Sequence, residues 1–198
     1  MRGTGLAVLA ACLVLGVSAD ALAGQGRTVD WRRVASDADR TRLRNWRATW
    51  IAALSLRPSD AVARDPALFD PDRALATAMP PVGRYRCRLH HLPGRAAMPM
   101  VVDRWQPCAV SDAGGRVRLA MEGGVRRPAG VLYPDTDGRA VFLGAVAIGE
   151  ERRALGYGRD RLRDTAGFVE RIGPRRWRLV IPGTRLGAAL ELMELEPA

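Results

Sequence analysis

Hydrophobic positions along this chain recur with two different periods. Between Ser36 and Leu54 they fall three to four residues apart, at Leu43, Trp46, Trp50 and Leu54, while Arg40, Arg44 and Arg47 lie largely off that face. This spacing predicts one amphipathic helix. Ser36 followed by Asp39 gives it a capping-box-like start, and Pro58 stops it. The Trp stripe reads as helix-to-sheet packing rather than as a ligand box. Two further short helices are predicted, over residues 59–63 and 71–78, the second with Asp70 as cap and Pro71 in the first turn. Pro80-Pro81 ends this region.

From Gly83 onward the period drops to two. In "RYRCRLHHL" Tyr85, Cys87 and Leu89 share one face and Arg84, Arg86 and Arg88 the other; "RVRLAM" and "RRWRLVI" alternate in the same way. Further strands are predicted over 104–110, 129–133, 139–148, 167–172 and 188–195, separated by turns such as Asp112-Ala113-Gly114-Gly115 and Pro182-Gly183. The 139–148 segment is apolar on both faces, as a covered central strand would be. Near the end, Leu190 and Leu192 give way to Met193 and Leu195, a change of parity that predicts a bulge. About eight strands with no crossover helices make a meander. The expected fold is α+β, mainly β: a helical segment (24–80) packed on a curved or closed, small-barrel-like antiparallel domain (81–198). An open sheet under the helices is the alternative.

Charge changes this picture less than its size suggests. The formal net charge is +10, yet all 31 basic residues are Arg, a usage that reads as coding bias. Arg44-Asn45-Trp46-Arg47 and Arg175-Arg176-Trp177-Arg178 resemble basic-aromatic surfaces for single strands, but both Trp fall at core positions of their segments. No nucleic-acid partner is expected. The first 23 residues combine Arg2, an apolar stretch from Leu6 to Val17 and an Ala21-Leu22-Ala23 site, which is an export signal cleaved after Ala23. Leu-Ala-Ala-Cys12 matches a lipoprotein pattern, but Leu13 to Val17 would follow it where a polar tether belongs, so Cys12 reads as part of the signal core. The stretch is too short to span a bilayer. A periplasmic or secreted protein without stable membrane insertion is expected. Cys87 and Cys108 then remain, and an oxidising compartment pairs them as a disulfide. The adjacent His90 and His91 point to opposite faces of a strand and read as two partly exposed histidines; neither a metal site nor a cofactor is expected.

"DWRRVASDADRTRL", "PPVGRYRCRLHHL", "WQPCAV", "GVLYPDTDGRAVFLGA", "RDTAGFVERIGPRRWRLVIPG" and "LELMELEP" together resemble the exported bacterial family catalogued as domain of unknown function 4893. The resemblance implies export and a shared fold, and brings no activity, cofactor or catalytic residues. Where that family has a Gly-Ser-Gln-Arg-like turn before "GVLYPD", this chain has Gly124-Val125-Arg126-Arg127, so only an Arg carries over, at Arg126 or Arg127.

No nucleophile sits in a Gly-x-Ser-x-Gly setting, no Gly-rich phosphate loop is present, and no carboxylate pair stands out. The least ordinary stretch is "GEERRALGYGRDRLRDTAG" (149–167), longer than most connections between strands. Read as a barrel-mouth loop, it offers Arg159 and Arg161 as forks for carboxylate or phosphate, with Tyr157 for stacking. Read otherwise, it is a solvated loop knitted by Arg–carboxylate pairs. The expected function is a non-catalytic binding module for an anionic or amphipathic envelope ligand. One alternative is an inhibitor or interaction protein for a periplasmic enzyme or another periplasmic protein, suggested by the disulfide-pinned basic sheet; "YRC" also resembles small exported lysozyme inhibitors. The other is a hydrolase with an unrecognised site.

Overall fold

A computed structural model of the protein describes residues 29–56, 59–95, 98–184 and 187–198. The export signal, its cleavage after Ala23, Cys12 and the stop at Pro58 lie outside the described residues. Five short helices come first: α1 (Trp31–Val34), α2 (Asp37–Arg44), α3 (Trp46–Ser55), α4 (Ser59–Arg64) and α5 (Pro66–Phe69). Nine strands follow. They are β1 (Gly83–Pro93), β2 (Val101–Val102), β3 (Gln106–Asp112), β4 (Val117–Met121) and β5 (Arg126–Thr136), then β6 (Arg139–Ile148), β7 (Asp164–Gly173), β8 (Arg176–Pro182) and β9 (Ala188–Pro197).

Every neighbouring pair is antiparallel, and β1 closes the sheet by pairing with β9 on one edge and β3 on the other. The result is an eight-stranded barrel, with β2 an extra strand on the upper part of β1. The expected closed meander is therefore correct, and the open sheet is not what forms. Closure removes the unpaired edges that an open sheet would expose.

Alternation puts Tyr85, Cys87, Leu119, Phe142, Leu179 and Met193 inside, in one cluster with other buried apolar side chains. Gly130 and Gly144 face each other across β5 and β6, and a Cβ on either would lie 2.4 Å from a backbone oxygen of the other strand. This close approach is open only to glycine. Cys87 and Cys108 are joined by a disulfide between β1 and β3, with Cα atoms 5.9 Å apart, inside the range that bridging requires.

The helices cover the outside of β6–β9 and the end of β1. Leu43 and Trp31 pack on Val141, Leu143 and Phe168, while Trp50, Leu68 and Phe69 pack on Ile172, Val180 and Leu192. Trp46 touches both clusters. The Trp stripe thus meets the sheet, but on two helices rather than one. Ser36 caps α2 by accepting from Asp39 N–H, and Asn45 both ends α2 and begins α3. That break lets the chain turn around a curved barrel.

Three other expectations need correction. Residues 71–78 form no helix; Asp65 and Pro66 instead supply the cap and first turn of α5, and the following chain is drawn onto the barrel by Leu75 N–H donating to Arg171 O at 2.8 Å. β9 pairs with β8 in continuous register from Leu190 to Leu195, without a bulge. Its change of parity arises because both faces are buried, Leu190 and Leu192 under the helices and Met193 and Leu195 inside. Of the two histidines expected to be partly exposed, His90 is instead buried on the outer face beside Glu194, while His91 is partly exposed and points inward between two carboxylates.

Candidate functional site

Apolar residues fill the middle of the barrel, so its two ends are where chemistry gathers. At one end the β7–β8 turn, the start of β1 and the strap from α5 enclose a cleft of about 410 Å³, within the size range of small-molecule sites. Its walls are largely apolar: Met79, Pro81, Val82, Pro174 and Pro197, with Tyr85 and Trp177 set edge to face at 6.0 Å. Burial pushes the Tyr85 phenol up, against the pull of the Arg175 charge, and its hydroxyl donates to Pro81 O at 2.7 Å. Arg84, Arg171 and Arg175 line the cleft and no carboxylate does. Arg84 is paired with Glu122. Arg171 Nε and Trp177 Nε1 are both buried without a hydrogen-bond partner, which ordinarily costs about 1–3 kcal/mol per group.

The strap adds strain at the same place. Thr77, a lining residue, has φ 64°, the left-handed region that a β-branched side chain resists. It is held there by Asp137, whose carboxylate accepts from Thr77 N–H and whose carbonyl accepts from Ala78 N–H. Backbone strain of this kind clusters at binding sites.

At the opposite end, four ionisable side chains meet inside the barrel. His91 sits between Glu191, 2.9 Å from Nδ1, and Asp103, 3.2 Å from Nε2. Arg126 Nη2 lies 2.6 Å from Glu191 as an ion pair without hydrogen-bond geometry, and its Nε has no acceptor. Arg126 and, when protonated, His91 offset the two carboxylates here, beside an apolar concavity of about 300 Å³ lined by Pro93, Met98 and Val101. Burial opposes the His91 charge, but the hydrogen bonds and charges of Glu191 and Asp103 outweigh it and raise its pKa.

On the outer face, burial likewise opposes the charge of Glu194, yet His90, Arg88 and Arg176 hold its pKa down at about 2. The signs are opposite. The His91 contribution is complete below the unfolded value of about 6.5 and fades as pH rises through the higher folded value. The Glu194 contribution is complete above about 4.5 and fades as pH falls towards about 2. Urea midpoints measured against pH should therefore peak between about pH 4.5 and 6.5. His91→Gln should flatten the alkaline side alone. An alkaline limb unchanged by that substitution would show that His91 is not its source.

The residues singled out in the sequence do not converge on one site. Arg126 points into the barrel. Arg127 points out, donating to Gly124 O at 2.6 Å and to Glu151 O, and so ties the β4–β5 hairpin to the β6–β7 loop. The Tyr157 hydroxyl donates to Asp39 and accepts from Ser36 N–H at 2.9 Å, clasping that loop to the start of α2. Arg159 lines a concavity with Arg118 and Arg153, whereas Arg161 lines a different one with Ser36 and Asp164. Arg171, Trp177, His91 and Glu191 were not singled out as site residues. Their common signal is a polar group in the inward register of a strand, close to its end.

Residues 31–195 match the family model described as Domain of unknown function (DUF4893). Among curated proteins none matches the chain.

Proposed function

Because the chain belongs to the domain of unknown function 4893 family, whose description names no activity, its role rests on its own site, and we propose that it is an exported, non-catalytic binding protein for a small anionic amphiphile. The cleft at the Arg171 end is the site. One observation carries the reading: an apolar-walled cleft lined by Arg171 and Trp177, whose Nε and Nε1 are buried with no hydrogen-bond partner among the described residues. An anionic head would satisfy Arg171 and Trp177, and a short apolar tail would cover Met79, Val82 and the prolines. The largely apolar walls would strengthen the charge-assisted hydrogen bonds. A hydrolase has less support, since both ring nitrogens of His91 face carboxylates.

Calorimetric titration with dodecanoate, and with dodecanol as its uncharged counterpart, tests this. Dodecanoate should bind, and Arg171→Ala should weaken it by roughly 10–100-fold, the value of a hydrogen bond to a charged group. Dodecanol should bind wild type and variant alike. Equal affinity of the two proteins for dodecanoate would remove the cleft from consideration.

A further inference from the structure

A separate surface lies on the side of the barrel that the helices leave open. Between β4 and the β6–β7 loop is a groove of about 520 Å³, lined by Arg118, Arg153 and Arg159 together with Ala154, Leu155 and Gly156. We propose that this groove docks the protein on an anionic lipid bilayer, its arginines taking phosphate headgroups and Leu155 entering the headgroup–acyl boundary.

The obvious objection is that the loop carries four acids of its own. Three of them are engaged by the loop and its flanking strands, although Glu151 stays 46% exposed. Glu151 accepts from Ile148 N–H at 2.7 Å and pairs with Arg163 at 3.1 Å. Asp160 accepts from Leu162 N–H at 2.9 Å, and Asp164 from Gly158 N–H at 2.8 Å. Glu150 is outside the groove lining. Three of these acids hold the shape of the loop, and the groove lining is made by arginines and small or aliphatic residues. Arg118, Arg153 and Arg159 are all exposed and make no ion pair among the described residues. On β1, by contrast, Arg84, Arg86 and Arg88 each have a carboxylate partner. The unpaired charge is therefore local.

The groove is also preformed. Tyr157 fastens the loop to α2, and Arg127 fastens it to the β4–β5 hairpin. Little ordering is left for binding, which is what otherwise weakens association. Leu155, 57% exposed within the same lining, decides between partners. An aliphatic side chain among arginines gains nothing from a sugar polymer, whereas a bilayer interface receives both.

Flotation with vesicles of phosphatidylglycerol and phosphatidylcholine, against vesicles of phosphatidylcholine alone, reads the proposal out. The wild-type protein should float only with the first, and less as salt is raised. Arg153→Ala with Arg159→Ala should lower partitioning by roughly 10–30-fold, from about 1 kcal/mol per basic residue at an anionic surface. Leu155→Ser should lower it roughly tenfold. The pair Arg32→Ala and Arg33→Ala removes the same net charge on the helical side and should leave partitioning unchanged. Circular dichroism and melting of each variant should match wild type, because the replaced side chains are exposed. Wild-type protein that ignores phosphatidylglycerol, or equal losses from the two arginine pairs, would overturn the proposal. So would an unaffected Leu155→Ser variant whose flotation is abolished by soluble polygalacturonate, since that points to an acidic polysaccharide instead.

Discussion

Arg178→Ala is expected to lower the free energy of unfolding by about 3–5 kcal/mol, the usual result of breaking a buried ion pair from one side. Arg178 lies on the outer face of β8 beneath the helices and is fully buried. Its Nε and Nη2 donate to Glu170 at 2.9 and 2.7 Å. The remaining donors reach Ala67 O, Leu68 O and Arg73 O at 2.9–3.2 Å, and the guanidinium stacks 4.6 Å from the centre of Trp50. Burial lowers the Arg178 pKa and the Glu170 charge opposes this. One side chain therefore joins barrel, α5 and the strap. Without it three carbonyls lose a donor, and Glu170 keeps only Arg139 among its ion-pair partners. Arg178→Lys should recover less than half of the loss, because one ammonium cannot spread its donors over a carboxylate and three separate carbonyls. Urea unfolding measures both. A loss below about 1 kcal/mol for Arg178→Ala would mean that this buried ion pair is not what holds α5 and the following chain to the barrel.

The same residue shows where sequence reading stopped. Alternation in "RRWRLVI" correctly put Trp177, Leu179 and Ile181 inside, and it put Arg176 and Arg178 outside, where a two-layer rule assigns polar residues to water. Helices cover that outside, so Arg178, Glu170 and Glu194 are buried polar groups joined in ion pairs. A period of two distinguishes two faces but says nothing about what lies over either. The strand pattern was legible because burial inside the barrel depends on local parity. The 71–78 segment departs from its local helix signal because the same cap and proline pattern recurs five residues earlier, at Asp65-Pro66, and tertiary pairing of Leu75 with Arg171 overrides local preference. His91, Glu191 and Arg171 are legible by asking which inward positions carry charge. The partners that define each site come from other segments: Trp177 faces Arg171 across the β7–β8 hairpin, Asp103 follows β2 alongside β1, and barrel closure brings Glu191 of β9 to His91.

Breaking the Cys87–Cys108 disulfide should be the other large effect, at about 3 kcal/mol for a closed loop of this length. The two residues are 21 positions apart, on neighbouring strands, and both are fully buried inside the barrel. The loop they close contains β2 and the whole β1–β3 connection. In the unfolded chain the bond removes conformations that the native barrel never used, so its loss stabilises the unfolded state. That mechanism has a signature beyond a lower midpoint. An unlinked unfolded chain expands and exposes more surface, so the urea dependence of unfolding should steepen in the Cys87→Ala, Cys108→Ala protein. Removing two small buried sulfurs adds a cavity cost within the native state, which lowers stability without steepening that dependence. Reduced wild-type protein separates the two, because it keeps the sulfur atoms and loses only the link. Reduction should reproduce the steeper slope and most of the loss. A midpoint unmoved by reductant, or free thiols in the native oxidised protein, would show that the barrel owes the bond nothing.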